Sequence, residues 1–174
     1  MASSFIPYIP LDGGSATIKL ATTRVTAVIN AASRNNTSYP YDSVAVDIPK
    51  YTLFAMIRQT SLATMSVTAL NSSAEEFGYG VYARPGTGSS NWTYVELQPS
   101  DEHSTNIPTG STHVESFLAT DWILITESND NASISRGLSF SIALSDRYNH
   151  RNELINYSHS AFNFEILFAT ADVG

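Results

Sequence analysis

Cysteine is absent from this 174-residue chain, and its absence excludes several kinds of chemistry. A chain without cysteine has no disulfide framework, no thiolate nucleophile and no cysteine-bound zinc site. Apolar runs are short as well, and none approaches the roughly 18 residues that cross a bilayer as a helix. Residues 1–14 lack the basic and long apolar regions of a signal peptide. The sequence therefore predicts a soluble protein made in the cytoplasm without an export signal.

Positive charge is also scarce. Lys and Arg number nine, the first of them is Lys19, and the nearest approach to a cluster is Arg147 with Arg151. The net charge is −7, and charged residues make up 14% of the chain, against about 25% in an average protein. Binding to DNA or RNA relies on clustered basic side chains that neutralise phosphates. We therefore predict no direct contact with nucleic acid and no direct electrostatic binding to anionic lipid.

Uncharged polar residues take the place of the missing charges. The sequence holds 24 Ser, 17 Thr and 12 Asn. A surface of hydroxyl and amide groups repels other proteins weakly, which suits contact with further copies of the chain or with sugars. The hydrophobic fraction of 43% is that of an ordinary globular protein. The length fits a single domain over residues 1–174 with its own core.

Short β-branched and aromatic segments alternate with turn signals along the whole chain. Val44, Val46 and Ile48 alternate with polar residues, as in a half-buried strand. The Asp-Gly-Gly at residues 12–14 predicts a turn. About eight to ten such segments at regular spacing indicate a β-sandwich or jelly roll. We therefore predict an all-β fold, a single eight-stranded jelly roll, with residues 1–14 as an extended N-terminal arm.

Some stretches of the sequence are harder to assign. Residues 33–41 are rich in Asn and predict a loop. Residues 50–58 have no polar face, so they fit either a strand or a short helix capped by Asp47 with Pro49 in its first turn. Glycosylation patterns in a chain this rich in Ser, Thr and Asn are attributed to chance, although they indicate loops. They occur at Asn35, Asn36, Asn71, Asn91, Asn131 and Asn156.

Three polar clusters in the sequence are candidates for a reactive site. Residues 101–104 combine two carboxylates, an imidazole and a hydroxyl, but a catalytic triad is assembled across a fold and not along one segment. His113 and Glu115 share one side of a strand, yet a metal site needs a third ligand, and the remaining imidazoles are His150 and His159. Residues 127–131 lack the pattern of an EF-hand calcium loop. We predict no catalytic residue, no metal and no cofactor.

Apolar and aromatic residues near turn signals are the best candidates for an interface. Pro7 and Pro10 confine the apolar N-terminal segment to an edge strand or an extended arm. Tyrosines in loops stack on sugars or anchor protein contacts. The candidate interface residues are Phe5, Ile6, Tyr8, Ile9, Tyr39 and Tyr41.

Three parts of the sequence carry a family resemblance: the entry arm MASSFIPYIPLDGG, the series of strands, and the closing segment FNFEILFATADVG. In these parts the chain resembles single-jelly-roll viral capsid proteins. Capsid proteins of small icosahedral RNA viruses usually carry a basic N-terminal arm, whereas this chain has no positive side chain before Lys19. It is more similar to the capsid jelly rolls of tailless double-stranded DNA viruses with an internal membrane. In size it resembles the small major capsid protein of the Thermus bacteriophages of that kind.

The resemblance implies a structural role in the virion. A subunit of this kind self-associates and pairs with a second capsid protein to tile an icosahedral shell, close to a membrane but without touching DNA. The alternative is a β-sandwich that binds a glycan or a receptor, as a lectin or a viral attachment domain does. No enzymatic activity is expected from either.

Overall fold

The computed structural model describes residues 8–11, 14–17, 19–37, 41–71, 76–77, 79–85, 95–98, 105–125, 139–146 and 154–172. These residues contain sixteen β-strands and no helix, which confirms the all-β prediction. No part of them forms a helix with the length and apolarity to span a membrane. The strands are β1 Tyr8–Leu11, β2 Gly14–Thr17, β3 Lys19–Ile29, β4 Ala32–Thr37, β5 Tyr41–Asp47, β6 Thr52–Gln59, β7 Ala63–Ala69, β8 Glu76–Phe77, β9 Tyr79–Pro85, β10 Val95–Gln98, β11 Thr105–Asn106, β12 Thr112–Phe117, β13 Ile123–Ile125, β14 Ser139–Asp146, β15 Ile155–His159 and β16 Phe162–Asp172.

Three four-stranded antiparallel sheets share one strand order. Sheet 1 is β13-β6-β16-β3, sheet 2 is β12-β7-β15-β4 and sheet 3 is β10-β9-β14-β5. In each sheet the strand that comes fourth along the chain lies between the first and the second. The chain therefore passes four times through the same three levels, twice from sheet 1 to sheet 3 and then twice from sheet 3 back to sheet 1. With sheets 2 and 3 taken as one bent sheet, this is the winding of a jelly roll, in which two four-stranded sheets enclose the core.

Two further strand pairs lie outside these sheets. β1 and β2 pair antiparallel with each other, from Tyr8 opposite Thr17 to Leu11 opposite Gly14. Residues 12 and 13 of the predicted turn lie outside the described residues, and the extended arm over residues 1–14 stays a prediction. β8 and β11 form the other pair. Within the described residues, β1 and β2 pair with no other strand.

The boundary between sheets 1 and 2 is fastened by hydrogen bonds across neighbouring strands. The Thr60 amide donates to the Asn163 carbonyl at 2.9 Å, and the Ser160 amide donates to the Thr64 carbonyl at 2.9 Å. The buried Gln59 side chain donates to two backbone carbonyls, those of Ser61 and Phe117, at 2.8 and 3.0 Å. A buried amide without such partners would cost about 1–3 kcal/mol. The polar residues at this boundary thus stabilise the bends between β6 and β7 and between β15 and β16.

The three sheets enclose one apolar cluster. β16 supplies its centre, because Phe162, Phe164, Ile166 and Phe168 alternate inward and are each at most 1% exposed. Contacts of β3 with β5 and of β6 with β10 place sheet 1 against sheet 3. Burying each of these side chains stabilises the fold by about 1.5–3 kcal/mol. The predicted apolar closing strand is therefore the strand around which the core forms.

The ambiguous residues 50–58 form a strand, β6, and not a short helix. The chain turns just before it, where Tyr51 has a φ of 61°, and the register of β6 with β16 shifts between Ala169 and Thr170. Tyr51 and Leu53 are consequently exposed at 63% and 52%, although they share the sequence alternation of the buried Ala55. Simple alternation fails here because a register shift changes which side faces inward.

The loop predicted at residues 33–41 is wrong for its first half, which is strand β4. Its polar side chains lie on an exposed strand that pairs with β15 through a register shift, and Asn36 adopts a φ of 53°. Backbone pairing with β15 outweighs the turn preference of Asn. Asn35 and Asn36 therefore lie in a strand, as does Asn156 in β15, and their glycosylation patterns do not indicate loops.

Candidate functional site

The outer face of sheet 1 is the side of the sheet that is turned away from the core, and an apolar row crosses it. Leu124 on β13 lies opposite Met56 on β6, Met56 lies opposite Leu167 on β16, and Leu167 lies opposite Arg24 on β3. Leu124 is 47% exposed, and the next two side chains are half-buried. Phe54, two residues from Met56 along β6 and therefore on the same side, is also exposed. The row presents connected apolar surface to solvent on three adjacent strands.

Charged and aromatic side chains lie beside this row. Arg58 on β6 donates from Nε to Glu165 Oε2 on β16 at 2.7 Å, and its Nη2 lies 2.5 Å from the same oxygen. Arg24 Nη1 lies 3.9 Å from Glu165 Oε1. Trp122 is the platform for both guanidinium groups, whose carbon atoms lie 4.7 Å (Arg58) and 5.8 Å (Arg24) from its ring centre. Exposed ion pairs contribute about 0–1 kcal/mol each, and exposed cation–π contacts about 0.5–1 kcal/mol. The cluster therefore mainly orients its side chains.

The outer face of sheet 2 has a different chemistry. Except for the exposed Val114, its outward strand positions are mainly hydroxyls and amides, and Thr68 and Thr112 hydrogen-bond to each other through their hydroxyls at 2.8 Å. Strand register aligns Val114, Ser66, Ser158 and Ser33 in one row across the four strands, all exposed or half-buried. The row and the neighbouring Thr pair are uncharged. This face can hydrogen-bond a polar partner but offers no charge to one.

A partly buried polar cluster joins sheets 2 and 3 around the carboxylate of Asp42 on β5, with Tyr157 and His159 buried and Arg34 47% exposed. Arg34 on β4 donates to both carboxylate oxygens, and the Tyr157 hydroxyl donates to Oδ2 at 2.6 Å. His159 Nε2 lies 3.4 Å from the same oxygen, while its Nδ1 lies 2.7 Å from the Ser160 carbonyl. The His159 ring also contacts the rings of Tyr157 and Phe162, at 5.4 and 5.6 Å between centres.

Burial and hydrogen bonding act in opposite directions on the Asp42 carboxylate. Burial alone would raise its pKa, but the hydrogen bonds from Arg34 and Tyr157, the charge of Arg34 and the contact with His159 together hold the pKa below its ordinary value. Burial, followed by the hydrogen bond to Asp42, raises the pKa of Tyr157, so its hydroxyl stays a donor. The pairing with Asp42 raises the pKa of Arg34.

The Asp42 cluster resembles catalytic groups in composition but not in access. An imidazole beside a carboxylate acts as a general base when it reaches the proton of a bound substrate. The side chain of His159 is 0% exposed, and Asp42 is 13% exposed. The arrangement instead connects β4, β5 and β15, so we assign it to fixing the corner between sheets 2 and 3.

The predicted reactive clusters are only partly described. His113 and Glu115 lie on β12, opposite Val67 and Met65, and both are half-buried. In the described part of the chain, no three His, Cys, Asp or Glu side chains are arranged to hold a metal. His159 belongs to the Asp42 cluster. Residues 101–104, 127–131 and His150 lie outside the described residues.

The candidate interface residues are also only partly described. Tyr8 and Ile9 lie in β1, opposite Thr17 and Ala16, and Tyr41 lies in β5, opposite Ser145. Phe5, Ile6 and Tyr39 lie outside the described residues. The interface assignment of these six residues stays a prediction. The apolar row on sheet 1 was missed, although its residues lie in apolar segments, two of which were predicted as the strands β13 and β16 and one of which, residues 50–58, was left between a strand and a short helix.

Comparisons with known proteins give no family. No family model matches the chain, and no curated protein matches it. Among solved structures the chain is similar to the unassembled VP1 pentamer of Merkel cell polyomavirus, with 7% identity, a TM-score of 0.36, and coverage of 99% of this chain and 100% of that one.

Two further solved structures are less similar. The family 11 carbohydrate-binding module of Clostridium thermocellum, in complex with a β-1,3-1,4-mixed-linked tetrasaccharide, has 8% identity, a TM-score of 0.21, and coverage of 98% and 96%. A structure of infectious bursal disease virus, Gx strain, has 13% identity, a TM-score of 0.17, and coverage of 97% of this chain and 49% of that one. Because these identities and TM-scores are low, the similarities assign neither a family nor a function.

Proposed function

We propose that this chain is a structural subunit of a viral capsid, which self-associates and pairs with a second capsid protein to tile an icosahedral shell. The observation that carries the proposal is the outer face of sheet 1. A jelly roll whose core is filled by Phe162, Phe164 and Phe168 has no need of the exposed row of Leu124, Met56 and Leu167 for its own stability. Exposed apolar surface next to polar side chains is typical of contact sites.

Composition supports the same proposal. Subunits that tile a shell lie against one another, so a low density of charge limits repulsion at each contact. Charged residues make up 14% of this chain, and its basic residues are scattered. The net charge of −7 also supports a shell protein that does not touch the genome.

The kind of virus and the location of the protein are proposed from the family resemblance. We propose a location in the virion after synthesis in the host cytoplasm, in a tailless virus whose internal membrane separates the shell from DNA, as in the Thermus bacteriophages. Self-association and the second capsid protein belong to this proposal, as does proximity to that membrane. We propose no catalytic role, since the His159 imidazole is enclosed in the Asp42 cluster.

The first experiment is multi-angle light scattering on the purified protein over a range of concentrations, followed by electron microscopy of the associated fraction. The expected result is a mass above that of the 18.9 kDa chain and particles of regular size. A protein that stays at the mass of one chain at every concentration contradicts the proposal.

The uncharged hydroxyl row on the outer face of sheet 2 favours a second candidate, a glycan- or receptor-binding module. Sugars are bound by hydroxyl and amide partners, and Ser66, Ser158 and Thr68 supply them on a regular strand lattice. The test is a glycan array on the wild type, on Ser66→Val and on the apolar-row variant Leu124→Asn. Binding of a defined sugar that Ser66→Val abolishes and Leu124→Asn retains would support this module over the shell subunit.

A further inference from the structure

The His159 ring lies between two hydrogen-bond acceptors. Its Nδ1 is 2.7 Å from the Ser160 carbonyl oxygen, and its Nε2 is 3.4 Å from Asp42 Oδ2. A carbonyl oxygen and an ionised carboxylate accept hydrogen bonds and donate none. Asp42 is ionised at neutral pH, because its pKa lies below its ordinary value of 3.8. Each ring nitrogen of His159 therefore faces an oxygen that can only accept a hydrogen bond from it.

A neutral imidazole cannot satisfy both of these contacts. It carries one N–H, so either tautomer leaves the lone pair of the other nitrogen pointing at an acceptor oxygen. The distance of 2.7 Å places the first proton on Nδ1, because two acceptors do not approach each other so closely. Nε2 then either carries a second proton or faces the Asp42 carboxylate without one. The side chain of His159 is 0% exposed, so bulk water supplies no other partner.

Two carboxylates favour a second proton on His159. Asp42 on β5 contacts Nε2 directly. Glu115 on β12 lies on the same side of sheet 2, because the apolar Met65 on β7 is opposite both Glu115 and His159. Two strand spacings, about 10 Å, separate Glu115 from His159.

Burial and the positive charge of Arg34 on β4 oppose the second proton. The guanidinium of Arg34 is paired with the same Asp42 carboxylate, so part of its charge is compensated there. Two further titratable groups lie on this side of sheet 2: Tyr157 on β15, whose hydroxyl stays protonated, and His113, two residues from Glu115 on β12. From β16 the ring of His159 meets the apolar Phe162. Hydrogen bonding decides between these opposing effects, since only the doubly protonated ring satisfies both acceptors.

We propose that the folded protein holds a second proton on His159, with Nδ1–H donating to the Ser160 carbonyl and Nε2–H donating to the Asp42 carboxylate. The inference does not depend on the proposed function. A proton that the folded protein holds more firmly than the unfolded chain does stabilises the fold at low pH, and this contribution is lost as pH rises. An ordinary histidine loses this proton near pH 6.5, or about there. The corner between sheets 2 and 3 is therefore a pH-sensitive device that loosens above this pH, when the bare Nε2 faces the carboxylate.

The first test observes the ring nitrogens directly. Magic-angle-spinning NMR of the full chain labelled with 15N-histidine does not depend on the size of any assembly. A doubly protonated ring gives two similar nitrogen shifts, and a neutral ring gives two widely separated ones. We expect the first pattern to predominate for His159 at about pH 7, where an unperturbed histidine is mostly neutral. A neutral pattern for His159 at that pH would overturn the inference.

The second test measures stability by urea denaturation at fixed protein concentration for wild type, His159→Gln and the control His113→Gln. A glutamine at position 159 keeps a donor for Asp42 but does not titrate. Between about pH 5.5 and about pH 8.5 the unfolding equilibrium constant of wild type should rise about tenfold relative to that of His159→Gln, the effect of about one hydrogen bond to a charged group. His113→Gln should follow wild type, because it retains His159.

Two outcomes of the second test would contradict the inference. Parallel pH curves for wild type and His159→Gln would show that no proton on His159 stabilises the fold. A wild type that gains stability relative to His159→Gln as pH rises would show that the folded protein holds the neutral ring. If His159→Gln does not fold, the NMR test decides alone, with the His159 signals assigned by elimination through single substitutions of the other three of the four histidines.

Discussion

The Tyr157 hydroxyl offers a clean perturbation of the corner between sheets 2 and 3. Tyr157→Phe removes the hydrogen bond to Asp42 Oδ2, which is 2.6 Å long, and leaves the ring in place against His159. Asp42 keeps its contacts with Arg34 and His159, so the carboxylate is not left without a partner. The substitution therefore tests one hydrogen bond with little change in packing.

The expected loss in the free energy of unfolding depends on the acceptor, which is the ionised Asp42 carboxylate. A hydrogen bond to an ionised group contributes about 1.5–3 kcal/mol. The lower part of that range applies, because Asp42 has two other partners and is 13% exposed to screening water. We expect a loss of about 1.5–2 kcal/mol, which lowers Tm by roughly 3–8 °C in a domain of this size.

The same hydrogen bond predicts a dependence on pH. The folded-state pKa of Asp42 lies below its ordinary value of 3.8, so the carboxylate contributes stability above that value, and the contribution is lost as pH falls through the folded pKa. Tyr157→Phe removes one of the groups that lower this pKa. The stability difference between wild type and variant should therefore be complete at neutral pH and should shrink at acid pH.

Urea denaturation at fixed protein concentration measures both effects, since association would otherwise change the apparent stability. The wild type and Tyr157→Phe are compared at neutral pH and at several acid values. An unchanged free energy of unfolding, or a loss that remains the same size in acid, would refute the role assigned to the Asp42 cluster.

Two further predictions test the fold. Phe164→Ala should lower the free energy of unfolding by about 3–5 kcal/mol, because the ring is 1% exposed at the centre of the core. The control Val114→Thr, at a 62% exposed strand position, should change it by no more than about 0.5 kcal/mol. Equal effects of the two substitutions in urea denaturation would contradict the assigned core. Gly110→Ala should lower the free energy of unfolding by about 1–3 kcal/mol, because the φ of 80° at this position disfavours any side chain. An added Cβ would meet nothing within 4 Å, so the loss would come from the backbone conformation alone. An unchanged Tm would contradict the strained turn.

The strands with strong apolar alternation could be predicted from the sequence. The closing strand β16 was predicted from the strongly apolar character of residues 162–169, and the alternation of Val44 with Val46 identified β5. The order of strands within each sheet could not be predicted at this level. It depends on pairings between distant segments, and alternation within one strand does not specify its neighbour.

β4 and the Asp42 cluster show why the rest was missed. The side chains of β4 are polar, and its strand conformation is stabilised by β15 more than 115 residues along the chain. Asp42 and Tyr157 are likewise far apart in sequence, so their hydrogen bond leaves no local pattern. The spacing of Tyr157 and His159 did place two polar rings on one side of a strand, which was a usable signal for a buried polar site.

The outer face of sheet 1 was missed for a different reason. On β16 Leu167 follows the polar Asn163 and Glu165 on the same side, whereas Met56 lies in a segment where both sides of the strand are apolar, so residues 50–58 fitted either a strand or a short helix. A sequence pattern of this kind predicts either a strand buried on both sides or a strand with an apolar outer face. The second alternative is the one observed for β6 and β16.

The most direct test of the shell-subunit proposal is the mass of the protein in solution, with Leu124→Asn as the matched variant. Light scattering over rising concentration should show wild type leaving the 18.9 kDa mass of one chain, and Leu124→Asn should remain folded but associate more weakly, since its change lies on the apolar row. A wild type that remains at 18.9 kDa at every concentration and salt, or association that Leu124→Asn leaves unchanged, would contradict the account.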